Sequence, residues 1–150
     1  MGTVVDNPYA RAAAAQRQHV EKKALDEAAE RVRNVRRALR LVREELLDNR
    51  RFLQRIHEDE VDKIHQLTFE QWEKQENVLL ELEDPEPHSL TREAYRGIAG
   101  VKDFEYAYNP HTGFWEKKDF PEPVLNTDVY MALEAVDAAV ESLSAAEKTD

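Results

Sequence analysis

Between Ala10 and Glu83 the chain contains neither glycine nor proline, the two residues that most readily end a helix. At a rise of about 1.5 Å per residue, an unbroken helix over that run would extend on the order of 100 Å. Ordinary globular helices last three or four turns, so the length alone predicts a coiled coil or an extended strut. Composition agrees. Charged residues make up 35% of the chain and hydrophobic ones 41%, many of them alanine, a mixture that suits a solvated helix better than a packed globule.

The apolar pattern sharpens the reading. Leu25, Val32, Leu39, Leu46 and Leu53 recur every seven residues, and Ala28, Val35, Val42, Asn49 and Ile56 follow each by three. Taken as heptad positions a and d, nine of these ten are apolar, which predicts a helix–helix seam. Asn49, the exception, is the type of buried polar residue that fixes register at some cost in stability. After Ile56 the repeat fails, because Glu60 and Lys63 occupy the next a and d positions. A second stripe begins at Val61 and Ile64 and runs through Trp72 to Leu82. The phase shift predicts either a stutter or a break within residues 57–61.

The chain therefore divides into a leader over 1–9, a coiled-coil-like helix over 10–84, a loop module over 85–124, a C-terminal helix over 125–146 and a tail over 147–150. Asn7-Pro8 reads as a helix start and Asp84-Pro85-Glu86-Pro87 as its stop. Within the module, Ser89 or Thr91 is expected to cap a short helix closed by Gly97. Phe104, Tyr106 and Tyr108 alternate with other residues at a period of two, and Asn109 to Gly113 supplies turn chemistry. A β-hairpin over 104–117 is expected, with Phe114 and Trp115 on its return strand. Phe120-Pro121-Glu122-Pro123 reads as an extended linker. The last helix carries Val129, Leu133, Val136, Val140 and Leu143 on one face. The fold class expected is mainly α.

The usual catalytic signatures are missing. With no cysteine there is no thiolate chemistry and no disulfide framework, which suits a reducing compartment. The glycines stand at 2, 97, 100 and 113, too scattered for a phosphate-binding loop. His57-Glu58-Asp59-Glu60-Val61 has Val where a zinc-protease helix requires its second His. Asp62 and His65 lie one turn apart, but a di-metal bundle site needs a second such pair and further carboxylates. No cofactor or metal is expected. No stretch approaches the roughly 18 apolar residues of a membrane span, and the first fifteen residues lack the apolar core of a signal peptide.

Charge is unevenly placed along the chain, whose formal net charge is −10. From Arg31 to Arg55 nine arginines face three acidic residues, whereas from Glu58 to Glu86 eleven acidic residues face two lysines. Arg36, Arg43 and Arg50 fall at e positions beside the seam, where they can select a partner's orientation. The block thus serves as a solvated face, as one half of an antiparallel pairing, or as a dock for an acidic surface. Nucleic acid is disfavoured, since the rest of the chain repels phosphate. Seven of the twelve aromatics lie between Tyr95 and Phe120, and Tyr106, Tyr108, Phe114 and Trp115 are candidate anchors for a protein partner.

These features predict a non-enzymatic structural or scaffolding subunit of a large assembly, binding other protein chains or a second copy of itself. The alternative is an assembly chaperone or adaptor that holds a protein client, and the third reading is a helical-bundle metal protein. A cytoplasmic or cytoskeletal setting is favoured, with organellar and virion-associated ones as alternatives.

Overall fold

A computed structural model describes residues 7–58, 60–104, 108–109, 114–115 and 122–149. Among them the chain is mainly helical. Helix α1 spans Pro8–His57, a 3-10 turn spans Val61–Gln66, and α2 covers Glu70–Leu80. Helix α3 then covers Glu86–Lys102 and α4 Glu122–Lys148. Two compact units divide the chain, residues 1–35 and residues 36–150. In the first, every described residue belongs to α1 or its cap, and the side chains are exposed apart from half-buried Ala14, Ala28 and Val35.

Helix α1 starts where its sequence signals it. The Asn7 side-chain carbonyl accepts from the backbone N–H groups of Tyr9 (3.0 Å) and Ala10 (3.3 Å), which satisfies donors left open in the first turn. Pro8 occupies a first-turn position where its missing N–H costs nothing.

The run expected over 10–84 is not one helix. It stops at His57, and the Glu60 N–H folds back onto the Arg55 carbonyl at 2.9 Å. The heptad fails after Ile56, where Glu60 and Lys63 fall at the next a and d positions, so a continued helix would carry charge along the seam. Leu53 and Ile56 before the break and Ile64 and Leu67 after it are each at most 2% exposed.

The second unit has its own core. Leu39, Val42, Leu46, Leu53 and Ile56 of α1 are buried together with Leu79 of α2, Ala94, Tyr95, Ile98 and Val101 of α3, and Val129, Ala132, Val136, Ala139 and Leu143 of α4. Each fully buried Leu or Ile contributes about 1.5–3 kcal/mol. The C-terminal seam of α1 is therefore covered within the chain itself, where the heptads alone suggested cover by other chains.

Helix α3 begins earlier and ends later than expected. Neither Ser89 nor Thr91 caps it: Pro85 stands at the N-cap and Asp84 accepts from the Glu86 N–H at 3.0 Å. Gly97 does not close it either, because the helix continues to Lys102. A Cβ at Gly97 would lie 3.2 Å from the Ala132 Cα and 3.3 Å from its Cβ. That glycine is a contact point where α4 comes against the α3 backbone, not a stop signal.

Helix α4 likewise starts at Glu122, ahead of the boundary expected at residue 125. Glu122-Pro123 forms its first turn rather than an extended linker. Its buried face is Val129, Ala132, Val136, Ala139 and Leu143, while Leu133 and Val140 are half-buried at its margin. The hairpin expected over 104–117 is not supported at that extent. Phe104 is buried in the helical turn that ends α3, because its ring is drawn into the core. Only a two-rung antiparallel pairing is described, Tyr108 opposite Trp115 and Asn109 opposite Phe114. Tyr106 and the turn at 110–113 lie outside the described residues.

The two helical glycines of α3 should respond in opposite ways. Gly97→Leu forces a side chain into α4 and should cost about 2 kcal/mol or more. Gly100, with nothing within 4 Å of a built Cβ, should accept alanine and gain up to about 1 kcal/mol. Urea denaturation of the two variants beside the parent chain measures both.

Candidate functional site

The most organised polar constellation is centred on Glu45, which is only 7% exposed despite its charge. Its position on α1 puts it beside Leu46 on the edge of the seam, facing the junction between the 3-10 turn and α2. That junction lacks a cap of its own, since Phe69 occupies the N-cap position and makes no side-chain cap bond. Glu45 supplies one from another helix. Its Oε2 accepts from the Gln71 N–H (2.9 Å) and the Thr68 hydroxyl (3.1 Å). Its Oε1 accepts from the Trp72 N–H (3.2 Å) and the Tyr95 hydroxyl (2.6 Å). A carboxylate facing the first-turn N–H groups of a helix also meets the positive end of its dipole.

Asn49, one turn along α1, grips the same junction. Its side-chain amide donates to the Thr68 carbonyl at 2.8 Å and accepts from the Thr68 N–H at 3.0 Å. The buried polar residue of the heptad pattern thus sets register inside the molecule, between α1 and the start of α2. From α3, Lys102 donates to the Leu67 carbonyl at 2.7 Å and its ammonium lies 5.9 Å from the Phe69 ring centre. Residues 67 to 72 are clamped from both sides.

Aromatic rings seal the cluster. Trp72 stacks on Tyr95 with centroids 5.1 Å apart and planes 11° from parallel, and His88 lies 5.4 Å from Trp72. Phe69 packs against Tyr95 at 6.0 Å. Glu76 lies 3.2 Å from the His88 Nε2. Burial pushes the Tyr95 hydroxyl far above the ordinary phenol range, and its hydrogen bond to the Glu45 carboxylate and the charge there raise it further. Both oxygens of Glu45 accept from two donors each, so the hydrogen-bonding capacity of the carboxylate is filled within the protein. The chemistry of this site is that of a tie between three helices.

The residues singled out in the sequence fall into three groups. Leu39, Val42, Leu46, Asn49, Leu53 and Ile56 are buried in the second unit, whereas Leu25 is 71% and Val32 40% exposed in the first. Arg43 pairs with Glu147 of α4, and the Arg50 Nε lies 2.5 Å from an oxygen of Asp137, also on α4. That hydrogen bond and the Asp137 charge hold the Arg50 guanidinium above its usual value. Arg36 is exposed. Of Tyr108, Phe114 and Trp115 only the backbone pairing is described, and Tyr106 lies outside the described residues. The sequence reading missed Glu45, whose one visible signal was an acidic residue beside the seam inside an arginine-rich block.

Among the described residues no three His, Asp or Glu side chains converge on a point that could hold a metal ion. No described helix is long and apolar enough to cross a membrane. No known protein family, curated protein or solved structure matches the chain.

Removing the tie should be costly. Glu45→Ala strands buried donors and should lower stability by about 3 kcal/mol, against about 1–2 kcal/mol for Tyr95→Phe. Tyr95 also makes stability depend on alkaline pH. Its folded-state value lies above the unfolded value of about 10, so its contribution is complete below pH 10 and declines as pH rises further. Unfolding free energy measured in urea should fall by about 1.4 kcal/mol per pH unit above that point. Tyr95→Phe should flatten that part of the profile.

Proposed function

We propose that this chain is a non-enzymatic structural or scaffolding subunit that joins other protein chains through helix–helix packing. The observation that carries the reading is the unequal fate of one heptad seam. From Leu39 to Ile56 the chain covers it with its own helices, yet Leu25 and Val32, on the same a row, stand 71% and 40% exposed. Apolar positions kept at heptad spacing on a solvated helix are costly to leave in water, and a second helix laid along them removes that cost. The absence of cysteine suits work in a reducing compartment, with a cytoplasmic or cytoskeletal setting favoured.

A second reading has its own support. Residues 36–150 bury a core of their own, as an adaptor or assembly chaperone requires if it is to stay folded between clients. The two readings differ in permanence of association, and sedimentation velocity of the chain isolated under mild conditions separates them. A subunit travels with its assembly; an adaptor is recovered mostly as monomer.

The test of the common claim is a paired isolation. Leu25→Asp with Val32→Asp should remove the co-purifying proteins identified with the parent chain, while the melting temperature stays within about 2 °C because neither side chain belongs to a core. Recovery of the same proteins with both variants in place would refute docking through this seam.

A further inference from the structure

We propose that the exposed seam of α1 around Leu25, Ala28 and Val32 accepts an amphipathic helix of another protein whose apolar stripe is flanked by Asp and Glu, and not a second copy of this chain. The inference rests on the proposed function and adds the chemistry of the partner. It follows from the positions that border the seam. In the heptad frame set by Leu25 and Val32, the e and g positions from residue 17 to residue 31 are Arg17, Lys22, Ala24, Ala29 and Arg31. Three are basic, two are small, and none is acidic. Asp26, Glu27 and Glu30 occupy b, c and f, on the side away from the seam, and N-terminal to Leu25 the row itself turns polar, with Gln18 at a and Glu21 at d. Arg17, Lys22 and Arg31 form no ion pair among the described residues.

The edge charges discriminate between occupants. In a parallel pair of identical chains each g position meets the e position five residues on in its partner, which sets Arg17 against Lys22. In an antiparallel pair g meets g and e meets e, so basic residues again oppose basic or small ones. Either arrangement places like charges at the rim of a short seam, which disfavours pairing. A helix carrying acidic residues at the same borders turns those contacts attractive and raises the rate of encounter. Alanine at 24 and 29 leaves room for the partner to lie close.

The same chain already uses this chemistry. Farther along α1, the e-row residues Arg43 and Arg50 meet Glu147 and Asp137 on α4. Helix α4 presents an apolar face of Val129, Ala132, Val136, Ala139 and Leu143 bordered by acidic residues. The proposed occupant has that character, supplied by a different protein.

The probes are two synthetic four-heptad helices with Leu at a and d, one with Glu at every e and g position and the other with Lys there, each fluorescently labelled. Neither pairs well with itself, because its flanks repel. Anisotropy titration of the full chain should show the Glu peptide binding at least about tenfold more tightly than the Lys peptide, weakening about tenfold from 50 mM to 500 mM salt. Leu25→Asp should reduce binding of the Glu peptide by about tenfold or more, with the far-UV spectrum and melting temperature unchanged. Equal binding of the two peptides, or binding indifferent to Leu25→Asp, would overturn the proposal. So would a sedimentation experiment in which the unmodified chain alone forms a dimer that Leu25→Asp dissolves. If the Glu peptide fails while the paired isolation still loses partners, the acidic chemistry is wrong and the docking role survives. If both fail, the docking role falls as well.

Discussion

Four donors converge on one buried carboxylate, and the arrangement of the second unit depends on that convergence. Glu45 takes the open N–H groups of Gln71 and Trp72, the Thr68 hydroxyl and the Tyr95 hydroxyl. Those donors come from two separate stretches of chain, residues 68–72 and Tyr95 of α3, and the acceptor from a third. Burying a carboxylate is expensive unless its hydrogen-bonding capacity is filled, and a helix start without its own cap is expensive unless an acceptor reaches it. Each deficit removes the other. Because both requirements are met only when α1, the start of α2 and α3 lie in one arrangement, the tie selects a packing rather than merely adding to stability. Hydrophobic burial alone would tolerate small rotations of these helices; the hydrogen bonds of Glu45 and Asn49 do not.

Much of this was legible in the sequence, and the unreadable parts have physical causes. The heptads from Leu25 to Ile56 mark one face of α1 because helical periodicity is a local property. The fault near residue 57 shows in the failure of the heptad, where Glu60 and Lys63 take the next a and d positions. Asn7-Pro8 marks the start of the helix, since capping involves only neighbours in sequence. What covers the seam is a long-range matter. No local pattern separates a stripe that α4 will cover from one that a foreign helix will cover, and here the same stripe changes status between Val32 and Leu39. Gly97 misleads for a related reason. A glycine near a helix end usually stops it, whereas this one stays inside α3 because Ala132, 35 residues away in sequence, occupies the space a side chain would fill. Glu45 was hidden because its partners lie 23 to 50 residues distant and its neighbours in sequence made it look like one more charge on a solvated face.

The ion pairs between α1 and α4 have a different role from the Glu45 tie. Arg50 and Asp137 are 41% and 54% exposed, and pairs of that kind contribute about 0–1 kcal/mol. Their value is directional. Arg50 meets Asp137 while Arg43, earlier on α1, meets Glu147, later on α4, so the two helices run antiparallel. A parallel docking would leave the arginine row facing the wrong end of α4. Apolar surface supplies the driving force, the buried hydrogen bonds fix the junction, and the surface charges choose the direction.

That division of labour explains how a chain with a net charge of −10 can carry so basic a helix. Acidic residues are concentrated after His57 and on α4, and basic ones on α1 between Arg31 and Arg55. Folding brings part of the two sets together, as Arg43 and Arg50 show. The neutralisation does not extend to Arg17, Lys22 and Arg31, which border the stretch of seam whose Leu25 and Val32 remain in water. One physical pattern, an apolar row with a basic border, therefore occurs twice along α1. Its C-terminal instance is satisfied by an acidic amphipathic helix of the same chain. Its N-terminal instance has the same requirement, and self-pairing would leave the border repelling itself; an acidic helix from elsewhere would cover the apolar row and neutralise the border together.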